Sequence, residues 1–436
     1  MVRALYYSPD ALRSHFLCYN AGVEQNYSRL LETSLDAARW DLIRRVAEQA
    51  TERGLALYIV GGSVRDLMLG RPINDIDLTV EGDAIRLARV LAHRYGGGVT
   101  AHTKFGTAKW FLPRDLTNDH ATLDLISARS ESYKHPAALP TVQFGTIEDD
   151  IRRRDFTINA MAVRLDGTRF GELRDDLKGM EDLHNKVVRV LHPRSFIDDP
   201  TRMYRAVRYE VRYGFNIAEE TLALIPEARA LVEKLSSQRI RHELDLILDE
   251  PNAVSMLKRL DELDLLACIH PALGNFDASN LAKVKSEDPV LQNRNSRWLL
   301  WLMHLTDQEI EFINDRLHFS AALLKLLRSA ALLETNLPAL RGLKPSQVVE
   351  LLEGYSIKAL EVFSTALQDE QQKNILNRYL SEWWAKKPKT TGHDLKKRGI
   401  PPGPKYNEIL RRLRAAWLDG EVKTEEEEKK LLDSIL

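Results

Sequence analysis

A chain of 436 residues is too long for one ordinary hydrophobic core, so its length predicts two to four domains. Its 44% hydrophobic and 29% charged content is that of a soluble globular protein, and no apolar run reaches the roughly 20 residues of a membrane helix. A formal net charge of −1 excludes a global pull toward polyanions but not a local one, and the N-terminus lacks the basic-then-apolar pattern of a secretory leader.

The two cysteines, Cys18 and Cys268, are far apart and form no metal spacing, which predicts a cytoplasmic location. In chain order, residues 1–50 read as a helical extension. Residues 51–180 alternate β-type runs (Leu57–Val60, Ile76–Val80, Ala108–Leu112, Thr122–Ile126, Ala160–Val163) with helical stretches such as Asp83–Tyr95. Gly96-Gly97-Gly98 reads as a turn. Beyond residue 180 the apolar spacing is helical: Leu183–Val190 leading into Pro200–Tyr213, then Ser237–Leu248, Ser255–Leu265 and Val348–Leu367. TEEEEKK (424–430) reads as the polar opening of a last helix. The expected class is α+β, an α/β head followed by an all-helical remainder.

Within the head, Gly61-Gly62-Ser63 follows the strand and precedes a short helix, Val64–Leu69. Two glycines there let backbone N–H groups approach an anion, although a bare pair is more often an ordinary turn. The aspartates alter that balance. Asp75 and Asp77 are two apart in a β-type run, so they share a face. Two carboxylates so placed call for a cation, and hard oxygen ligands beside a phosphate cradle suit Mg²⁺ shared with a nucleoside triphosphate. Asp124, in TLDLIS, is the candidate third carboxylate, with Asp119 nearby. In Arg152-Arg153-Arg154-Asp155-Phe156-Thr157-Ile158-Asn159, Arg154 suits bidentate phosphate contact, and Asp155 and Asn159 could orient a ribose or an arginine.

Together these segments closely resemble the class II tRNA nucleotidyltransferase and bacterial poly(A) polymerase family, within the DNA polymerase β-like nucleotidyltransferases. The resemblance rests on GGSVRDLMLGRPINDIDLTV, RRRDFTINAMAV, DDPTRMYRAVRYEVRYGF (198–215), SSQRIRHELDLIL (236–248) and TGHDLKKRGIPPGPKYNEILRRLRAAWLDGEVKT (391–424). It covers residues 55–250 densely and 390–424 again, while 255–385 carry little signature. It implies a polymerase β-like catalytic head (51–180), a neck with a nucleobase-selecting helix (181–250), a helical body (251–345) and a tRNA-binding tail (346–436). The implied reaction is template-independent addition of C and A to a tRNA 3′ end from CTP and ATP. An A-adding or CC-adding specialist and a poly(A) polymerase are the same-fold alternatives. ARSESYKHPAALPTV (128–142) leaves room for the mobile loop that full CCA addition requires. A non-catalytic RNA binder on the same fold is disfavoured because both Asp75 and Asp77 are present.

The resemblance assigns Gly61, Gly62, Ser63 and Arg65 to the triphosphate and makes Asp75 and Asp77 catalytic, while Asp124 is the candidate third catalytic carboxylate on pattern alone. Asp199 and Arg202, three apart on an expected helix, would select the base. A carboxylate that accepts and a guanidinium that donates match the edges of cytosine and adenine, and mismatch uracil and guanine. Here Asp198-Asp199 stands where the family more often has Glu-Asp. Arg205 and Arg208 extend the stripe toward nucleotide, with Glu210, Glu243 and Asp245 as alternative ion-pair partners. In the tail, Lys386–Arg414 holds ten Lys/Arg against Asp394 and Glu408. Lys396, Lys397, Arg398, Lys405, Arg411 and Arg412 are the candidate RNA contacts. Trp383 and Trp384 are expected to pack rather than stack on bases. His393-Asp394 does not extend to a phosphohydrolase metal set, because no histidine follows it.

Overall fold

The computed structural model describes residues 26–73, 75–116, 122–274, 279–284 and 288–436. Cys18 and the first half of the expected N-terminal extension lie outside the described residues. The chain divides into two compact units, Met1–Leu235 and Ser236–Leu436. Among the described residues no helix is long and apolar enough to cross a membrane.

The first unit opens with helices α1 (Ser28–Ser34) and α2 (Ala37–Thr51), the latter started by Asp36, whose carboxylate accepts from Arg39 N at 2.9 Å. Strand β1 (Ala56–Val60) follows, then α3 (Gly62–Met68), β2 (Asp77–Glu81) and α4 (Ala84–Tyr95). Strands β3 (Gly98–His102), β4 (Thr107–Phe111) and β5 (Thr122–Ser127) come next. A separate hairpin, β6 (Arg129–Ser132) and β7 (Thr141–Phe144), precedes α5 (Ile147–Arg152), β8 (Ala162–Arg164) and β9 (Leu173–Arg174). The seven-stranded sheet runs β3-β4-β5-β2-β1-β8-β9. Within this sheet, among the described residues, only β2 and β5 pair in parallel, because the long excursion through α4, β3 and β4 returns the chain to the same end of the sheet.

One face is fully covered. Leu57, Ile59, Leu78, Val80, Ala108, Trp110, Leu123 and Leu125 alternate along four adjacent strands and are all buried. The other face is covered at β1 and β8, where Tyr58, Val60, Ala160 and Ala162 pack with Ile147 and Ile151 of α5. Over β2, β5 and β4 it carries Asp77, Asp124 and Lys109, none of them buried.

After β9 come α6 (Gly179–His184), β10 (Val187–Val188), α7 (Ser195–Asp198), α8 (Thr201–Tyr213) and β11 (Asn216–Ile217). The expected helix over Leu183–Val190 is therefore wrong beyond His184. Val187 and Val188 pair in parallel with Asn216 and Ile217, and β-branched residues prefer that use. Across the 128–142 stretch, Arg129–Ser132 pairs with Thr141–Phe144 as a hairpin, and the intervening residues form its turn.

Among its described residues the second unit contains no strand. Ser237–Leu248 is helical over the expected bounds, whereas Val348–Leu367 breaks into Pro345–Leu352 and Ile357–Ala366. Gly354, Tyr355 and Ser356 form the break, and Ser356 N donates to Ser329 Oγ at 3.0 Å. The last helix, Glu425–Ile435, starts at a Thr424–Glu427 capping box. Leu395, Ile409, Leu413 and Leu432 close the core beneath it.

Candidate active site

The chain leaves β1 through Gly61 at φ 67°, ψ −125°, a conformation that side chains resist. A Cβ there would also lie 2.2 Å from Arg154 Nη1, so the arginine's end would have to move aside. At Gly62 a Cβ would meet only Arg65, at 3.4 Å. Ser63 is buried and its Oγ donates to Asp75 O at 2.8 Å, fastening α3 to the segment that carries the aspartates. Arg65 points inward. Its fork donates to Asp66 at 3.0 Å and to Asn159 Oδ1 at 2.6 Å, and its guanidinium lies 4.7 Å from the Tyr213 ring centroid. The resemblance predicts contact with triphosphate for Arg65; the structure instead gives it to the packing between α3 and α8.

Asp77 is the first residue of β2, and Asp75 lies just before the strand, exposed. Asp124 is the register partner of Asp77 on β5, and Lys109 is the register partner of Asp124 on β4. The three side chains therefore form a row across one face of the sheet. Lys109 Nζ lies 3.0 Å from Asp124 Oδ1. Burial raises the Asp77 carboxyl above its ordinary range, with help from the carboxylates of Asp124, Asp75 and Asp150 and against the pull of Arg154. A site that disfavours its own negative charge fits a divalent cation, and Asp75 and Asp77 supply hard oxygens for one. Among the described residues, no three His, Cys, Asp or Glu side chains converge as a metal cage. Asp124 thus adjoins the aspartate pair without completing a three-carboxylate cluster, since its partner is Lys109. Asp119 lies outside the described residues.

The arginine run divides by function. Arg152 is exposed, while Arg153 and Arg154 both donate to the fully buried Asp150, at 2.7 Å and 2.8 Å. Burial alone would raise the Asp150 carboxyl, but the two guanidiniums outweigh it and hold it low. Arg154 is thereby pinned beside the Gly61 turn, within electrostatic reach of Asp77. Asp155 faces inward. It accepts from Phe156 N at 2.9 Å, Asn159 Nδ2 at 3.0 Å, and Arg205 Nε and Nη2 at 2.8 Å and 2.6 Å. Four bonds use the capacity of a carboxylate, and two of them orient Arg205, the arginine-orienting alternative of the sequence reading. Its burial would raise the carboxyl, yet Arg205, Asn159 and Arg202 bring it down to about 2. Asn159 is equally committed, to Arg65 and Asp155.

Asp199 and Arg202 do not share a helix face. Asp199 sits at φ −139°, ψ 95°, before α8, and its Oδ1 accepts from Thr201 N at 2.9 Å and Thr201 Oγ1 at 2.5 Å. Pro200 separates it from the helix, which begins at Thr201. Arg202 is buried, donating to Ser195 Oγ at 2.6 Å and Arg153 O at 2.9 Å. The two still meet electrostatically at Tyr133, from the β6–β7 turn. Burial raises this phenol, Arg202 opposes, Glu131 and Asp199 add, and it reaches about 12. Arg208 is buried against the Tyr209 ring, 5.7 Å from its centroid. Sequence reasoning missed Asp150, Glu131, Tyr133, Ser195 and Lys109. Asp150 alone had a visible signal, its spacing of three and four to Arg153 and Arg154.

In the second unit the basic tail is partly neutralised by acids outside the window counted in the sequence. Arg398 pairs with Asp433, and Arg412 pairs with both oxygens of Glu421 at 2.8 Å and 2.6 Å. Arg411 lies 3.9 Å from Glu350, and Arg414 2.7 Å from Glu353. Lys396, Lys397 and Lys405 are exposed. Asp394 is spent on a capping box with Thr391, accepting from its N–H at 2.9 Å. Trp383 is buried, while Trp384 is 48% exposed.

Residues 57–189 match the family model of the poly A polymerase head domain, and residues 214–276 that of the probable RNA and SrmB-binding site of polymerase A. The chain is 35% identical over 420 residues to the A-adding tRNA nucleotidyltransferase of Geobacter sulfurreducens, spanning 89% of this chain but 46% of that protein. It is 31% identical over 416 residues to the A-adding tRNA nucleotidyltransferase of Halalkalibacterium halodurans, spanning 92% of this chain and 94% of that one. The solved structure of the Thermotoga maritima CCA-adding enzyme complexed with tRNA is 30% identical, with a TM-score of 0.75 over 95% of this chain and 100% of that one. By these matches, the chain belongs to the tRNA nucleotidyltransferase and poly(A) polymerase family.

Proposed function

We propose that this chain is a template-independent, Mg²⁺-dependent nucleotidyltransferase of the cytoplasm that adds C and A to the 3′ end of tRNA, consuming CTP and ATP. The observation that carries this reading is the Asp75–Asp77 pair held by Ser63 beside the Gly61 turn and the pinned Arg154.

In this reading the tRNA 3′ oxygen bonds to the α-phosphorus as the bond to the bridging oxygen breaks and pyrophosphate leaves. Gly61, Gly62 and Ser63 line the approach of the triphosphate, and Arg154 meets its charge. Asp75 and Asp77 would hold the divalent cation, which when bound lowers the pKa of the attacking hydroxyl and neutralises the leaving group. Asp199 and Arg202 choose the base, with Tyr133 beside them. Arg65, Asp155, Asn159 and Arg205 serve the site indirectly, by fixing α8 against α3. Exposed Lys396, Lys397 and Lys405 attract RNA backbone, with Arg398, Arg411 and Arg412 as adjustable members of the same surface.

A second reading, addition of A alone, is favoured by the names of the Geobacter and Halalkalibacterium relatives. Purified protein with Mg²⁺ and tRNA transcripts ending at the discriminator base, at C and at CC separates them. CCA completion on the shortest transcript supports the first reading. Extension of the CC-ended transcript alone selects the second, and unbounded A tails overturn both.

A further inference from the structure

Three side chains stand in register across the open face of the sheet: Asp77 on β2, Asp124 on β5 and Lys109 on β4. Strand alternation gives them one face, and neighbouring strands lie roughly 4.8 Å apart. Lys109 Nζ reaches both oxygens of Asp124, at 3.0 Å and 3.1 Å, and pairs with no other carboxylate among the described residues. The two side chains are 46% and 44% exposed. Pairs this exposed contribute little to stability, so the fold does not depend on the contact. Its consequence is electrostatic. An ammonium lies against the carboxylate that stands in register with Asp77 and could join Asp75 and Asp77 around a cation.

We propose that Lys109 is a positioning residue that occupies Asp124 in the resting protein, so that any cation bridging Asp77 and Asp124 must displace its ammonium. This inference rests on the reading that Asp75 and Asp77 bind a divalent cation. Lys109 thus sets a threshold: the Asp75–Asp77 pair takes up a cation arriving with nucleotide, while the Asp124 side is engaged only against competition. An arginine at position 109 would preserve the competition, and an uncharged side chain would remove it.

The test uses the full chain and Mn²⁺ as the probe, with free Mn²⁺ followed by electron paramagnetic resonance. Lys109→Met should bind Mn²⁺ about 3- to 10-fold more tightly than wild type, the scale of removing one unit charge at a partly solvated site. Lys109→Arg should bind as wild type does. Asp124→Asn should abolish the gain when combined with Lys109→Met. In nucleotide addition, Lys109→Met should reach half-maximal rate at lower Mn²⁺ with the KM for nucleotide unchanged. Unchanged Mn²⁺ affinity in Lys109→Met overturns the proposal, as does a gain that persists in the Asp124→Asn background. Wild-type Mn²⁺ affinity in Asp77→Asn would instead overturn the underlying metal reading.

Discussion

Gly61 and Gly62 are adjacent, yet they answer to different constraints. Gly61 has positive φ, and its missing Cβ makes room for Arg154, whose own position is fixed by buried Asp150. Gly62 is the first residue of α3, and a methyl there meets only Arg65 at contact distance. Gly61→Ala should therefore cost about 1–3 kcal/mol through backbone strain and displace Arg154 from the cradle. Gly62→Ala should stay within about 1 kcal/mol of wild type, the ordinary range for such a change. Thermal unfolding of the two variants, alongside nucleotide-addition rates, checks the contrast. Equal melting temperatures would show that the Gly61 turn is not strained. The sequence pattern GG, read alone, could not distinguish these two roles, because the difference lies in a contact from Arg154, far along the chain.

At the scale of elements, the first unit is held at its site by a polar ladder: Asp66, Arg65, Asn159, Asp155 and Arg205 link α3, the segment after α5, and α8. All five lie in motifs whose chemistry reads as ligand-binding, and all but Asp66 are read from the sequence as nucleotide contacts. For Asp155, Asn159 and Arg205 a structural use was one of the alternatives open in the sequence; for Arg65 it was illegible, because charge and spacing do not reveal which way a side chain points. Strands with strict alternation, such as β4 and β5, were legible, as was the cap-bounded helix Ser237–Leu248. The two-residue strands β9, β10 and β11 were not, since so short a run carries no periodicity. Asp155→Asn removes the charge that Arg205 binds and should destabilise the unit by about 2–3 kcal/mol, the worth of a carboxyl held at about 2 in the folded chain. The sign with pH follows from the depressed carboxyl. Its folded value of about 2 lies below the ordinary 3.8, so its contribution is complete above about pH 4 and fades as the pH falls toward 2. Wild type and Asp155→Asn should thus differ in urea unfolding at pH 7 and converge near pH 2. A gap that stays constant across that range would show that the carboxylate's charge is not what stabilises the ladder.

At the scale of the whole molecule, charge is nearly balanced at −1, and the balance is local in the tail as well. Ten Lys/Arg within Lys386–Arg414 suggest a uniform basic surface, but Arg398, Arg411, Arg412 and Arg414 meet Asp433, Glu350, Glu421 and Glu353 from elsewhere in the unit. Arginine's planar fork is suited to such fixed pairs, whereas exposed lysine remains a hydrated point charge. RNA attraction should therefore fall chiefly on Lys396, Lys397 and Lys405. Replacing all three with alanine should weaken tRNA binding and flatten the slope of log affinity against log salt by about 2 to 3 units, close to one for each phosphate no longer neutralised. Arg412→Ala, which breaks an exposed pair worth at most about 1 kcal/mol, should change that slope by less than about 1 unit. Fluorescence anisotropy with labelled tRNA at a series of KCl concentrations measures both. If Arg412→Ala flattens the slope as much as the triple lysine variant does, its pairing with Glu421 yields to RNA, and the arginines rather than the lysines carry the surface.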